Sequence, residues 1–149
     1  MKENSKTAST PRRDFIKKAS LASIGISIVP RHVLGGVGFT APSDKLLIAG
    51  IGVGGKGESD IKSFADSGKA DIAFLCDVDD RRAANSRARF PKAKYYKDWR
   101  ELLDKEEKNF DAVSIATPDH NHAAPAIAAM KSGKHIYLQK PLTHDIYEA

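Results

Sequence analysis

The sequence predicts an α/β fold, a doubly wound parallel sheet covered by helices on both faces. Three observations carry this expectation. From Asp44 onward, short apolar runs alternate about five times with amphipathic stretches, the pattern of strands joined by crossover helices. The first apolar run, Leu46 to Ile51, ends in a cluster of glycines. The second run is closed by an acidic residue, Asp77, about twenty residues after that cluster.

The elements follow in order. Leu46 to Ile51 is apolar without alternation, as a strand buried on both faces requires. Lys56 to Asp66 places Ile61, Phe64 and Ala65 on one side of a helix, and Ser67-Gly68 closes it. Ala70 to Cys76 is the second strand. Asp80 is expected to cap a helix from Arg81 to Arg89 that ends before Pro91. Lys94 to Tyr96 is a short strand, and Asp98 precedes a helix from Trp99 to Lys105 with Trp99, Leu102 and Leu103 on one side. Ala112 to Ala116 is a strand, Ala123 to Lys131 a helix with Gly133 just past its end, and His135 to Leu138 a further strand. Another helix is expected from Ile146 onward.

A chain of 149 residues holds one ordinary domain. Its net charge of +5 is not spread over that domain. Residues 1–20 carry six basic and two acidic side chains, whereas residues 41–149 carry seventeen of each. A neutral body lacks the clustered cations that a nucleic-acid backbone requires, so that class of partner is set aside. The lone Cys76 excludes an intrachain disulfide and a cysteine metal site.

Residues 1–40 read as an export leader and linker, and residues 41–149 as the domain. Arg12-Arg13 precede Phe15 and Ile16, and a weakly apolar run follows from Ala19 to Val29. This order of basic and apolar regions resembles a twin-arginine (Tat) signal, so the Tat export machinery is an expected partner and the periplasm the expected location. The apolar run is too short for a permanent membrane anchor, which as a helix needs ~20 residues.

The glycine cluster carries the chemistry. Lys45-Leu-Leu-Ile-Ala-Gly-Ile-Gly-Val-Gly-Gly-Lys-Gly57 contains a GxGxxG spacing in two registers, Gly50/Gly52/Gly55 and Gly52/Gly54/Gly57. The second leaves a six-residue strand before its first glycine and puts Gly57 inside the helix, where close packing needs no side chain. Glycines at a strand-to-helix turn let a pyrophosphate approach the main chain at the helix N-terminus. Gly52, Val53, Gly54, Gly55, Lys56 and Gly57 are therefore candidate cofactor-binding residues in a Rossmann domain. Asp77 is placed to accept the adenosine ribose hydroxyls, and its charge favours NAD over NADP. Arg81 and Arg82 are near enough in sequence to leave NADP open. Helix capping is the alternative use of Asp77 and Asp79.

The glycine loop, Cys76-Asp-Val-Asp-Asp80, Ala116-Thr-Pro-Asp-His-Asn-His122 and Tyr137-Leu-Gln-Lys-Pro-Leu-Thr143, in this order, resemble the N-terminal domain of the Gfo/Idh/MocA oxidoreductases over residues 43–149. The Thr-Pro-x-x-x-His segment and the Lys-Pro pair are its most specific pieces. The resemblance implies that Ala116, Thr117, Pro118 and Asn121 line the cofactor and that His122 stands near the nicotinamide. It also implies that Lys140, the candidate catalytic residue, reaches the substrate hydroxyl. The family's Glu-Lys-Pro falls on Gln139, Lys140 and Pro141, so a glutamine replaces the commoner glutamate; it keeps a carbonyl for a cofactor hydroxyl but gives up the charge. A cis peptide before Pro141 is implied as well. His120 and His122 form no metal site by spacing alone, since no third ligand is near.

The whole protein is expected to need a second α/β domain for its substrate pocket, to form a homo-oligomer and to act on a sugar-like small molecule. A glycosidase using NAD transiently and a non-catalytic dinucleotide-binding module are the alternatives.

Overall fold

The computed structural model describes residues 40–149. The expected leader lies outside the described residues. A single 3-10 turn, Pro42–Asp44, leads into the first strand.

Five parallel strands form one sheet: β1 (Leu46–Ile51), β2 (Ala70–Cys76), β3 (Lys94–Tyr96), β4 (Ala112–Ile115) and β5 (His135–Leu138), in the spatial order β3-β2-β1-β4-β5. Four helices make the crossovers: α1 (Lys56–Asp66), α2 (Asp80–Arg89), α3 (Trp99–Glu106) and α4 (Ala123–Lys131). The chain first winds outward from β1 through β2 to β3, then returns to the other side of β1 as β4. The winding direction reverses between β1 and β4, the point at which open α/β sheets bind ligands.

The continuous apolar character of β1 is explained by its position, because both its faces are covered. Ile48 packs with Ile61 of α1 and Ala83 of α2 on one face. Ala49 and Ile51 join Leu102 and Leu103 of α3 and Ala126 and Ala129 of α4 on the other. Each fully buried Leu or Ile in these cores is worth about 1.5–3 kcal/mol relative to exposure. A β-bulge in β2, opposite the Ile48/Ala49 step, lets Ala73 in as an extra residue. It shifts the strand's alternation, so that Ile72 joins one core and Phe74 the other. On the α1 side of the sheet Tyr137 of β5 stands 47% exposed, its ring edge-on to that of Phe64 of α1 with centroids 5.1 Å apart.

One expectation is corrected. The N-cap of α2 is Asp79, whose carboxylate accepts from the Arg81 amide, and Asp80 is instead the first helical residue, paired with Lys97 and Arg87. An aspartate one step earlier has the extended backbone that a cap needs. Ile146–Glu148 form a turn, and the Asp145 carboxylate accepts from the amides of Tyr147 and Glu148, the bonding of an N-cap where a helix was expected to begin.

Candidate nucleotide-binding site

The carboxyl edge of the sheet gathers the first residue beyond four strands. Each is hung from a neighbouring strand by its own amide: Gly52 from Cys76 O, Asp77 from Tyr96 O, Ala116 from Ile51 O and Gln139 from Ile115 O. Positions far apart in sequence thus lie side by side.

The turn after β1 requires glycine at several positions. Gly52 has φ +77°, and a Cβ there would stand 2.7 Å from the main chain of Ala116. At Gly57 a Cβ would collide with the Gly52 carbonyl. Gly57 is buried in the first turn of α1 against the end of β1, while Gly55 has φ +57° and a Cβ at Gly50 would stand 2.8 Å from Val53, so both spacings fall on glycines the turn needs. Val53 is fully buried and fixed on both sides: its amide donates to Asp77 Oδ2 at 3.0 Å, and its carbonyl accepts from Ser86 Oγ of α2 at 2.6 Å. The amides of Gly54, Gly55 and Lys56 have no hydrogen-bond partner among the described residues. They are the orphan donors of a helix N-terminus, which favours an anion.

Asp77 is held at that turn by both carboxylate oxygens, Oδ2 on the Val53 amide and Oδ1 on the Asp79 amide. Each oxygen keeps a second lone pair for a hydroxyl donor. Helix capping falls to Asp79 and not to Asp77. Arg81 is ion-paired to Asp79 with its side chain 91% exposed, an arrangement that lowers the Asp79 pKa through hydrogen bonding. It does not line the cleft. The neighbouring Arg82 does, packed against the glycine loop, together with Val78, Lys97 and Trp99. The spacing points to Arg82, with Arg81, as a partner for a 2'-phosphate, and gives Val78, Lys97 and Trp99 no cleft role. Trp99 was assigned only to the core, because helical spacing shows which face is apolar and not where that face ends.

The opposite wall is the segment after β4. Ala116, Thr117, Pro118 and Asn121 all line the cleft. A 3-10 turn at Asp119–Asn121 shapes it, and Thr117 Oγ1 donates to Asn121 O at 2.9 Å. His122 does not line this cleft. Its ring is 1% exposed and bridges two carbonyl oxygens, Nδ1 lying 2.6 Å from Pro141 O and Nε2 2.7 Å from Thr117 O. The structure thus gives it the work of tying the β4 loop to the Lys140 segment. His120 is exposed, and among the described residues no three potential ligands gather to hold a metal.

At the end of β5, Gln139 donates to the buried Asp60 of α1, which also accepts from Lys56 and thereby raises the Lys56 pKa. Lys140 is exposed and precedes a cis bond to Pro141. The cleft between the glycine turn and the β4 segment has a volume of about 350 Å³, and Gln139 and Lys140 lie outside its lining. A larger hollow of about 530 Å³, lined by Asp80, Arg87, Phe90 and Tyr95 among others, lies beside α2 and includes no residue of the glycine loop. Cys76 lines the cleft, but burial pushes its thiol up to about 12, so it stays protonated and inert.

Unpaired amides at a helix start, a main chain bared by glycine and a carboxylate with free lone pairs define a dinucleotide-binding domain. The sequence model of the oxidoreductase family with NAD-binding Rossmann fold matches residues 46–149. The chain belongs to this family, Gfo/Idh/MocA, and NAD is its cofactor. A glycosyl hydrolase family 109 protein of Solibacter usitatus is 32% identical over 93% of this chain and 34% of its own length. An alpha-N-acetylgalactosaminidase of Shewanella oneidensis is 30% identical over 92% of this chain and 35% of its own. Among solved structures, myo-inositol dehydrogenase from Lactobacillus casei, in complex with NAD(H) and myo-inositol, superposes with a TM-score of 0.64 at 25% identity, over 70% of this chain and 31% of that one. The chain spans about a third of the length of the curated relatives it matches.

Proposed function

We propose that this chain is the nucleotide-binding part of an exported, periplasmic oxidoreductase that moves hydride between NAD and a carbon of a sugar, cyclitol or related polyol. One observation carries the reading. The unpaired amides of Gly54 and Lys56 share a cleft with the anchored Asp77 carboxylate and the Ala116 to Asn121 wall. NAD bound there supplies the redox step. The protein binds and orients: the Gly52 to Gly57 turn takes the diphosphate, Asp77 the ribose, and Ala116, Thr117, Pro118 and Asn121 flank the rest. Asp77 disfavours a 2'-phosphate, while Arg82 in the same cleft leaves NADP as a weaker ligand. Lys140, at the ligand-bearing edge, orients the substrate hydroxyl and stabilises negative charge developing on it. The polyol substrate is supported by the inositol-bound relative.

Export is supported by Arg12-Arg13 and the weakly apolar run behind them. The match to the Solibacter relative takes in 93% of this chain, more than residues 41–149 alone supply.

A second reading is favoured by the two curated relatives named as glycoside-cleaving proteins. In it, NAD would take up hydride from the sugar and later return it, while water would supply a hydroxyl to the anomeric carbon and a proton to the leaving alcohol, so that the glycoside is cleaved with no net redox change.

Calorimetric titration of the full-length protein with NAD and NADP tests the shared premise, and failure to bind either overturns both readings. Turnover then separates them. Accumulating NADH with a polyol supports the dehydrogenase, whereas glycoside cleavage at constant NAD supports the hydrolase. Lys140→Ala is expected to abolish either turnover while NAD still binds.

A further inference from the structure

The second turn of α1 holds a carboxylate that the glycine motif does not call for. Asp60 is 5% exposed, and both its oxygens are occupied. Oδ1 accepts from the ammonium of Lys56, one turn earlier on the same helix, and Oδ2 accepts from Gln139 Nε2 at 2.7 Å. Lys56 lines the cleft, and Gln139 is the residue before Lys140. One buried carboxylate therefore joins the cation of the glycine loop to the far end of the sheet.

We propose that Asp60 is a positioning residue of the nucleotide cleft, holding the Lys56 ammonium beside the diphosphate and fixing which way the Gln139 amide faces. This rests on the NAD-binding reading above. A carboxylate only accepts, so Gln139 must turn its NH2 toward Asp60 and present Oε1 on its other side. That oxygen has no hydrogen-bond partner among the described residues and is the group left for a cofactor or substrate hydroxyl. The pairing also dictates the residue type at 139. A glutamate there would set two carboxylates against each other in a buried site, where only one ionises readily. Exchanging the two groups, with the amide on α1 and the carboxylate at 139, restores one charge and one donor.

The full-length protein tests this through NAD affinity by calorimetry, with the thermal midpoint of the nucleotide-free protein measured alongside. Gln139→Glu is expected to raise the Kd for NAD about tenfold and Asp60→Asn about fivefold, while the double variant returns to within about threefold of the wild type. A wild type that does not bind NAD overturns the nucleotide reading itself. A wild type that binds, with the two single effects multiplying in the double variant, overturns the positioning role. So does a midpoint that falls while the Kd stays put, because that outcome leaves Asp60 purely structural. Should Gln139→Glu fold too poorly to titrate, Asp60→Asn and Lys56→Met answer the same question. Their losses overlap if Asp60 acts through Lys56 and multiply if it does not.

Discussion

Val53 has no side chain of chemical interest, yet it is the most constrained residue of the cleft. Its amide is spent on Asp77 and its carbonyl on Ser86, so the glycine turn is set before any ligand arrives. Preorganisation of this kind lowers the cost of ordering on binding. Asp77 consequently has two tasks, anchoring the turn and facing the ribose. Asp77→Ser is expected to weaken NAD about tenfold or more and NADP distinctly less, as read by paired titrations; equal losses would remove ribose recognition from this residue. The glycine turn was legible in the sequence because so tight a strand-to-helix crossover leaves no room for side chains, at Gly52 against Ala116 and at Gly57 against the Gly52 carbonyl; its register was not, since Gly50 and Gly55 are constrained too. The partners of Gln139 and His122 were not legible. Asp60 lies 79 positions from Gln139, and Pro141 lies 19 from His122, and no local pattern announces such a bond.

Among the elements, α3 is fastened to β3 by charge as well as by its apolar face. Glu106, near the end of α3, accepts from Lys94 and Tyr96 of β3 and from Asn109. The Lys94 ammonium, with those hydrogen bonds, holds its carboxyl down from 4.5 to about 2. A carboxyl depressed by folding adds stability that is fully present above its unfolded value and lost as pH falls through the folded one. The thermal midpoint of the domain-containing protein should therefore drop between about pH 4.5 and 2, and Glu106→Gln should flatten that part of the profile. An unchanged profile would remove Glu106 from the acid sensitivity. All five strands and four helices could be placed from apolar periodicity and turn residues. The bulge at Ala73 could not, because it depends on the pairing with β1. The cap of α2 was displaced by one residue among three closely spaced aspartates, whose sequence alone does not say which has the extended backbone.

Across the whole molecule, the charge balance and the sheet order point the same way. A body with equal numbers of acidic and basic groups offers no broad field to attract a polyanion. Its specificity for a dinucleotide must come from the carboxyl edge, where four strand ends meet at the reversal of winding. That meeting was readable as a consequence of the fold class. The identity of the outer wall was not, since Lys97 and Trp99 reach the cleft only because the end of β3 lies beside that of β2.

Trp99 is the only tryptophan in the chain, and it lines the cleft with the Arg100 guanidinium 4.4 Å above its ring. The protein therefore carries its own optical reporter. Titration with NADH should quench the indole emission in proportion to occupancy and transfer part of that excitation to the reduced nicotinamide. In a full-length protein with further tryptophans, Trp99→Phe would identify the responding fluorophore by abolishing the signal. An emission spectrum indifferent to saturating NADH would mean that the ring does not sense the ligand. With the reporter in place, a stopped-flow record of filling and emptying needs no label.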